Sequence, residues 1–351
     1  MSTGPVLDFL LPGDPRTLTG GYIYDRRIMQ GLATLGWRVT VHSLDSSFPS
    51  PTSSALEESR STLEKLPAGS IVVIDGLALG GMPDVLREQS GRLRLVALIH
   101  HPLASETGIA PARRRRLEQS ERRSLAAVDK TIVTSRWTMQ QLQSYGVPSE
   151  RIDVVMPGTD PAPLAHGPGT SSLNLLCVAT LTPRKGHAVL FDALAELRDR
   201  DWHLYCVGSL QRDIPTVTAL RGQMERLGLT ERITLLGEVT QEGLAQRYAQ
   251  ADLFVLASYL EGYGMALAEA LSRGLPLVST SAGAIPETVP ANAAILVPEG
   301  DSSALANALA RVMDDPTVLK DLTRGSRIAR DRLPTWNQAC GQFAAVLRTL
   351  R

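Results

Sequence analysis

Two carboxylates eight residues apart, Glu261 and Glu269, bracket a glycine-rich entry into a helix in the run Glu261-Gly-Tyr-Gly-Met-Ala-Leu-Ala-Glu269. The segment before it, Asp252-Leu-Phe-Val-Leu-Ala257, is apolar, short and bounded by polar residues, which predicts a buried strand. Gly262 and Gly264 allow a tight bend on either side of Tyr263, and Met265 to Arg273 continues in helix-favouring Ala, Leu and Glu. Gly274 and Pro276 then stop that helix before a second apolar strand, Leu277 to Thr280. A strand, a glycine loop and a helix in this order aim backbone N–H groups out of the helix N-terminus, where partial positive charge favours phosphate. Met265 and Glu269 are four apart and share a helix face, so Glu269 lies about one turn behind the anion-facing end. Glu261 lies on the loop in front of it. An acid on either side of an anion site suits a ligand with hydroxyls flanking a diphosphate, and a nucleotide-sugar is such a ligand.

The elements that must position these groups are legible as alternation. Short β-rich apolar runs alternate with longer helical patterns from end to end, which predicts a parallel α/β architecture. The strand candidates of the first half are Val6–Leu11, Arg38–Leu44, Ile71–Ile74, Leu95–Ile99, Lys130–Thr134 and Ile152–Met156. Helical patterns intervene at Gly21–Leu35 and Arg113–Val128. The stretch Pro161 to Ser172 has linker composition, rich in Pro, Gly and Ser. A second series follows at Leu173–Ala179, His203–Val207, Ile233–Leu236, Leu253–Leu256, Leu277–Ser279 and Ala294–Val297, with helices near Ser303–Met313 and Thr317–Arg330. Leu333-Pro-Thr335 breaks the chain before a last helix, Asn337–Leu350. The polar loops all follow strand ends. Gly20 and Gly21 follow the first strand, Asp75 and Gly76 the third, His100 and His101 the fourth. In the second half Arg184 and Lys185 follow its first strand, Glu238 its third and Glu261 its fourth. Doubly wound sheets bind ligands beyond the carboxyl ends of their strands, so two such domains in tandem predict one shared interdomain cleft.

Bulk properties narrow the class further. A length of 351 residues suggests about two domains, and 43% hydrophobic residues suffice for a core in each. Lys plus Arg and Asp plus Glu both number 36, so no net field draws the chain to nucleic acid. Cys177, Cys206 and Cys340 form no C-x-x-C pair, and two of them fall in apolar runs, which predicts buried reduced thiols. Met1-Ser-Thr-Gly-Pro lacks a basic and apolar leader, and no apolar run approaches membrane-spanning length, which predicts a soluble cytoplasmic protein. Asp199-Arg-Asp201 has the spacing of a metal motif, but it precedes the strand near His203, at the amino end. No other His, Cys or carboxylate cluster shows ligand spacing along the chain, so no metal and no cofactor is expected. Arg113 to Arg116, with Arg122 and Arg123, concentrate charge on one helix. A solvated helix face explains them, and weak peripheral contact with anionic lipid at the inner membrane face is the alternative.

Taken in order, these segments resemble the retaining glycosyltransferases of family four, with the GT-B fold. Cys177-Val-Ala-Thr-Leu-Thr-Pro-Arg-Lys-Gly186 resembles that family's strand and loop with its diphosphate-holding Arg-Lys pair. Leu236-Gly-Glu-Val239 resembles the segment whose backbone meets the nucleobase, and Ser258 to Glu269 matches the E-x7-E region. Gly274-Leu-Pro276 and Gly283-Ala-Ile-Pro-Glu287 follow in the family's order. In the first half Gly20-Gly21, Leu98-Ile-His-His101 and Val133-Thr-Ser-Arg-Trp137 also match. Pro157-Gly158-Thr159 departs from the Asn-Gly pair common in the family.

The resemblance implies an α/β fold of two Rossmann-like doubly wound domains facing across a cleft. Residues 1–163 would form the acceptor-side domain and residues 170–333 the donor-binding domain. Residues 334–351 would form a helix returning to the first. It implies a metal-independent enzyme of glycan biosynthesis, moving a sugar from a UDP-sugar, GDP-sugar or similar donor to an acceptor hydroxyl with retained configuration. The acceptor would be a saccharide, a small molecule or a lipid-linked group. Arg184 and Lys185 would neutralise the diphosphate as the bond to the sugar breaks, a contribution of roughly 10²–10³ in rate per donor lost. Glu261 would hold sugar hydroxyls and Glu269 the ribose. Val239, Gly262, Tyr263, Gly264 and Met265 would line the donor, and Gly20 and Gly21 would let backbone approach it. His100 would take the role of the family's cleft histidine, with His101 as the competing assignment. A glycosidase-like acid/base pair at Glu261 and Glu269 is the competing chemistry, and spacing alone does not decide between them. The competing functions are a non-catalytic nucleotide-sugar sensor or partner subunit, and a nucleotide-linked oxidoreductase. The oxidoreductase needs a G-x-G-x-x-G turn, which Gly20-Gly21-Tyr-Ile-Tyr does not supply.

Overall fold

The computed structural model describes residues 4–169 and 172–350. Residues 1–3 of the N-terminal reading, Thr170 and Ser171 of the linker stretch, and Arg351 lie outside the described residues. The chain divides into two compact units. One comprises the described residues up to Gly158 together with those from Pro334 onward, and the other spans Thr159–Leu333. The division thus falls at Gly158/Thr159, ahead of the position suggested by linker composition. A physical reason lies in Gly158 itself, where a Cβ would overlap the backbone of Trp336, so this residue packs inside the first unit.

The first unit holds six strands: β1 (Val6–Pro12), β2 (Arg38–Leu44), β3 (Ile71–Asp75), β4 (Arg94–Ile99), β5 (Lys130–Val133) and β6 (Ile152–Val154). They form one parallel sheet in the order β2-β1-β3-β4-β5-β6. β3 is buried along its whole length because helices cover both faces of a parallel sheet, which is why it reads as a continuous apolar run. The second unit holds β7 (Leu173–Val178), β8 (Trp202–Val207), β9 (Ile233–Gly237), β10 (Leu253–Leu256), β11 (Leu277–Thr280) and β12 (Ala294–Val297). Their parallel order is β12-β11-β10-β7-β8-β9.

These orders locate the ligand crevices. In the second sheet the chain runs outward from β7 through β8 and β9, then returns to β10 on the other side of β7. The crevice therefore opens at the carboxyl ends of β7 and β10. In the first sheet the same reversal falls between β1 and β3. Arg184 and Glu261 follow β7 and β10; Gly20 follows β1, and Asp75 ends β3.

Two helices of the first unit tie distant sequence to its crevice. The helix Trp336–Arg348 starts at a capping box made by Thr335 and Gln338 and packs on the helix Gly20–Thr34. Contact is close because Gly31 has no side chain; a Cβ there would overlap the Cys340 sulfur. The helix Pro111–Ala126 buries Glu121, whose two carboxylate oxygens accept from the Leu103 N–H at 3.1 and 3.2 Å. Glu121 thereby pins the loop that follows His100 and His101. Burial pushes its carboxyl up to about 8, opposed by the Leu103 bond.

This raised value fixes the sign of a pH effect. Between about 4.5, the ordinary glutamate range, and about 8, the unfolded chain has lost a proton that the folded chain keeps. Folding is therefore favoured fully at the acidic end, and that contribution is lost as pH rises through the window. In Glu121→Gln, which keeps an acceptor without charge, thermal unfolding should depend less on pH between 5 and 8 (roughly the window set by the two values). The variant should gain on wild type toward the alkaline end. A parallel pH dependence in both proteins would refute the assignment.

Candidate active site

In the second unit the site begins with a turn that only glycine permits. β7 ends at Val178, and the loop tightens into a single 3-10 turn, Pro183–Lys185, before Gly186 opens the helix His187–Ala195. Gly186 has φ +65°, and a Cβ on it would overlap the Ala257 carbonyl just past β10. The Arg184 carbonyl accepts from Tyr259 N–H at 2.8 Å. Backbone pairing thus locks the β7 loop to the β10 loop and brings their side chains together.

Those side chains form one charged cluster. The Lys185 ammonium donates to Glu261 Oε1 at 2.6 Å, and the Ser258 hydroxyl donates to the same oxygen at 2.6 Å. The Arg184 guanidinium donates to the Leu260 carbonyl at 2.8 Å and lies 4.0 Å from Glu261 Oε2. Lys185 and Glu261 are 17% and 8% exposed, so solvent screens the pair weakly. Burial pushes the Glu261 carboxyl up, but Lys185 and then Arg184 outweigh it and hold it below the ordinary range. Burial lowers the Lys185 ammonium, only partly restored by Glu261. Two cations around one buried anion leave net positive charge for an incoming anion.

The neighbouring helix adds to that charge. Gly264, at φ +94°, precedes the helix Met265–Ser272, and no side chain caps that N-terminus. Its first N–H groups are therefore available to a ligand. The preceding loop is held by backbone: the Glu261 carbonyl accepts from Ala284 N–H at 2.9 Å, and the Tyr263 carbonyl accepts from the Thr288 hydroxyl at 2.5 Å. A Cβ on Gly283 would strike the Glu261 carbonyl, which explains the glycine in that segment. Glu269, one turn on, is half-buried and accepts from the Tyr248 hydroxyl at 3.1 Å. Val239 is half-buried beyond β9, ahead of the helix Gln241–Ala249 that carries Tyr248.

Tyr248 was not singled out by sequence reasoning. It is 1% exposed, stacks on Phe254 of β10 and lies under the Arg273 guanidinium. A buried tyrosine hydroxyl needs a partner, and here Glu269 shares that role with the Ala266 carbonyl at 3.3 Å. If Glu269 holds the ribose, as the resemblance implies, Tyr248→Phe should keep the fold while weakening uridine diphosphate binding several-fold, through loss of one bond of about 1 kcal/mol. Calorimetry with the 2′,3′-dideoxy nucleotide separates the roles. Equal weakening for both nucleotides would refute orientation toward the ribose.

The first unit holds a polar cluster of its own. Gly21 lies in the first turn of the helix Gly20–Thr34, and a Cβ there would sit 3.0 Å from His100 Cδ2. His100, just past β4, directs Nε2 to Asp25 Oδ1 at 3.1 Å and to Asp75 Oδ2 at 3.6 Å. The candidate ligand atoms of these three residues lie within 4.8 Å of one another. A scan for ligand spacing finds only Asp199 and Asp201 because these three come from separate elements. Asp199 and Asp201 lie before β8, where Asp199 pairs with Arg200 at 2.9 Å. His101 points elsewhere, 3.7 Å from Glu106. The three cysteines are free and buried. Arg113 to Arg116 are exposed at the start of their helix. Among the described residues, no helix is long and apolar enough to cross a membrane.

Two parallel doubly wound sheets in tandem are the α/β architecture of the GT-B fold. A model described as "Glycosyltransferase Family 4" matches residues 23–163, and one described as "Glycosyl transferases group 1" matches residues 172–315. The chain belongs to this glycosyltransferase family. It is 28% identical over 315 residues to an MMP alpha-(1->4)-mannosyltransferase of Mycolicibacterium hassiacum, covering 85% of this chain and 75% of that protein. It is 31% identical over 260 residues to the amylovoran biosynthesis glycosyltransferase AmsK of Erwinia amylovora, covering 68% of this chain and 61% of that one. Among solved structures, a sucrose-phosphate synthase of Thermosynechococcus elongatus has a TM-score of 0.84 at 22% identity, covering 99% of both chains. Anabaena HepE, solved with UDP and glucose, has a TM-score of 0.79 at 19% identity, covering 98% of this chain and 100% of that one.

Proposed function

We propose that the protein transfers a sugar from a nucleoside diphosphate donor to an acceptor hydroxyl, with retention and without a metal. The observation that carries this reading is the Arg184–Lys185–Glu261 cluster beside the uncapped helix at Met265. Cations and backbone N–H groups together match a diphosphate whose charge grows as the glycosidic bond breaks. In this reading the acceptor oxygen forms its bond to the anomeric carbon on the face from which the diphosphate departs. The departing phosphate oxygen takes the acceptor's proton, so no protein base is required. Glu261 then serves the sugar hydroxyls and Glu269 the ribose, and both act in binding. HepE was solved with UDP and glucose, and the mannosyltransferase named above also handles a hexose, which supports a hexosyl donor.

The test is incubation with UDP-glucose, GDP-mannose and related donors, monitoring nucleoside diphosphate release with and without sugar acceptors. Release that depends on acceptor, with an α-linked product from an α-linked donor, is the expected result. Tight donor binding without release under any acceptor would replace this reading with a sensor. Activity abolished by a chelator and restored by a divalent ion would overturn the metal-independent part. The exposed Arg113 to Arg116 run supports a lipid-linked acceptor at an anionic surface. Absence of flotation with phosphatidylglycerol vesicles would end that extension.

A further inference from the structure

The helix Gly20–Thr34, the end of β3 and the loop after β4 bring two buried carboxylates onto one imidazole. Asp25 is 1% exposed and Asp75 4% exposed. Two ionised carboxylates this close and this dry repel strongly unless something positive joins them. The group that joins them is His100, with Nε2 at hydrogen-bonding distance from Asp25 and 3.6 Å from Asp75.

The surroundings allow the ring little freedom. Tyr24 meets it edge-on at 5.4 Å, and Gly21 leaves just enough room on another side. Its backbone carbonyl accepts from the Thr134 and Thr138 hydroxyls at 3.2 and 3.3 Å. Asp75 is itself fixed, since its Oδ1 accepts from Leu77 N–H at 3.0 Å. The charged groups acting on His100 are Asp25 from the helix and Asp75 from β3; the residue just past β5 and the helix Arg136–Ser144 present the neutral hydroxyls just named. Tyr24 is engaged elsewhere, donating to the Val155 carbonyl at 3.0 Å. Among the described residues Nδ1 has no hydrogen-bond partner, and the side chain is 20% exposed.

We propose that Asp25 and Asp75 are positioning residues that clamp His100 as an imidazolium, so that it meets a ligand as a fixed N–H donor and not as a base. Burial alone would discharge the ring, but Asp25, by charge and hydrogen bond, and then Asp75 reverse this and raise it above the ordinary histidine value. Burial and the Asp25 charge push Asp75 up to about 7, opposed by His100 and the Leu77 and Gly76 N–H groups. The ring is held charged chiefly by Asp25, to which Nε2–H is committed at 3.1 Å, with Asp75 adding to it. Only Nδ1–H remains to offer. A histidine so held cannot accept the acceptor's proton; it offers a directed N–H near the carboxyl ends of β1 and β3, its charge cancelled by the two carboxylates. The ligand-facing part rests on the proposed transferase function; the charge state does not.

The test uses the full chain with isotope-labelled histidine, whose ring nitrogens report protonation directly in long-range proton–nitrogen spectra. The chain has six histidines, and His100→Gln identifies the signal of interest. At pH 7.5 (about one unit above the ordinary histidine value) the wild-type ring should carry protons on both nitrogens. Asp25→Asn should lower its midpoint by about one unit, a tenfold loss of proton affinity, and Asp75→Asn should move it the same way. If Asp25→Asn does not fold, the wild-type spectrum and Asp75→Asn decide the matter. A neutral wild-type ring, or midpoints unmoved in the folded variants, would overturn the proposal. So would a zinc or manganese ion that displaces the Nε2 proton at stoichiometric concentration, because the cluster would then be a metal site. A doubly protonated ring that UDP-glucose and GDP-mannose leave unshifted would count against the donor reading and leave the clamp standing.

Discussion

Lys185→Ala should lose about 10²–10³ in turnover, the cost of one donor to developing charge, and should also be distinctly less stable. The second effect follows from the pair it breaks. The Glu261 side chain is 8% exposed, and without Lys185 it keeps, among the described residues, the Ser258 hydroxyl at 2.6 Å and the Arg184 guanidinium at 4.0 Å. Removing one member of a buried pair typically costs about 3–5 kcal/mol; the remaining partners place this case near 3. The double variant Lys185→Ala/Glu261→Gln removes the orphaned charge and should recover most of that stability. It should recover none of the turnover. Chemical denaturation and nucleoside diphosphate release read the two quantities separately. Recovery of both in the double variant would show that the pair serves the fold and that the diphosphate lies elsewhere.

A second large effect is expected at a residue without a side chain. Gly186→Ala places a Cβ in the left-handed region, at about 1–2 kcal/mol, and drives it into the Ala257 carbonyl, at about 1–3 kcal/mol more. The collision can be relieved only by separating the β7 loop from the β10 loop. Arg184 and Lys185 would then lose their register with Glu261, so donor binding should fall along with stability. Gly228→Ala supplies the control. Gly228 has nearly the same backbone angle, φ +64°, with open space around it, so it bears the strain without the collision. Thermal unfolding of both variants isolates the collision, and calorimetry with uridine diphosphate reads its effect on the site. Equal destabilisation in the two would mean the loops are not held by this contact.

Much of the fold was legible because parallel strands buried on both faces must be continuously apolar. Most strands of the described residues correspond to short apolar runs set between helical patterns, whereas β2, at the sheet edge, alternates polar and apolar residues and is largely exposed. The glycine-rich entry at Gly262 and Gly264 was equally legible, since a helix N-terminus and a tight bend are local properties. Less legible was the boundary between units. Linker composition pointed past residue 160, whereas the first unit ends at Gly158, where a contact with Trp336, nearly 180 residues away, decides the matter.

Sequence alone determined which polar groups stand at the strand ends: a basic dipeptide after one strand, two acids around a glycine bend after another, and a histidine pair after a third. Each is written in neighbouring residues, and local backbone physics places each at a strand's carboxyl end. Tertiary structure alone decided the partners. Lys185 meets Glu261 across 76 positions. Tyr248 reaches Glu269 from another helix, and Asp25 and Asp75 close on His100 from two separate elements. Such pairings depend on which strands become neighbours in the sheet. Electrostatic energy in a dry crevice depends on distances of a few ångströms, and no sequence interval carries that information.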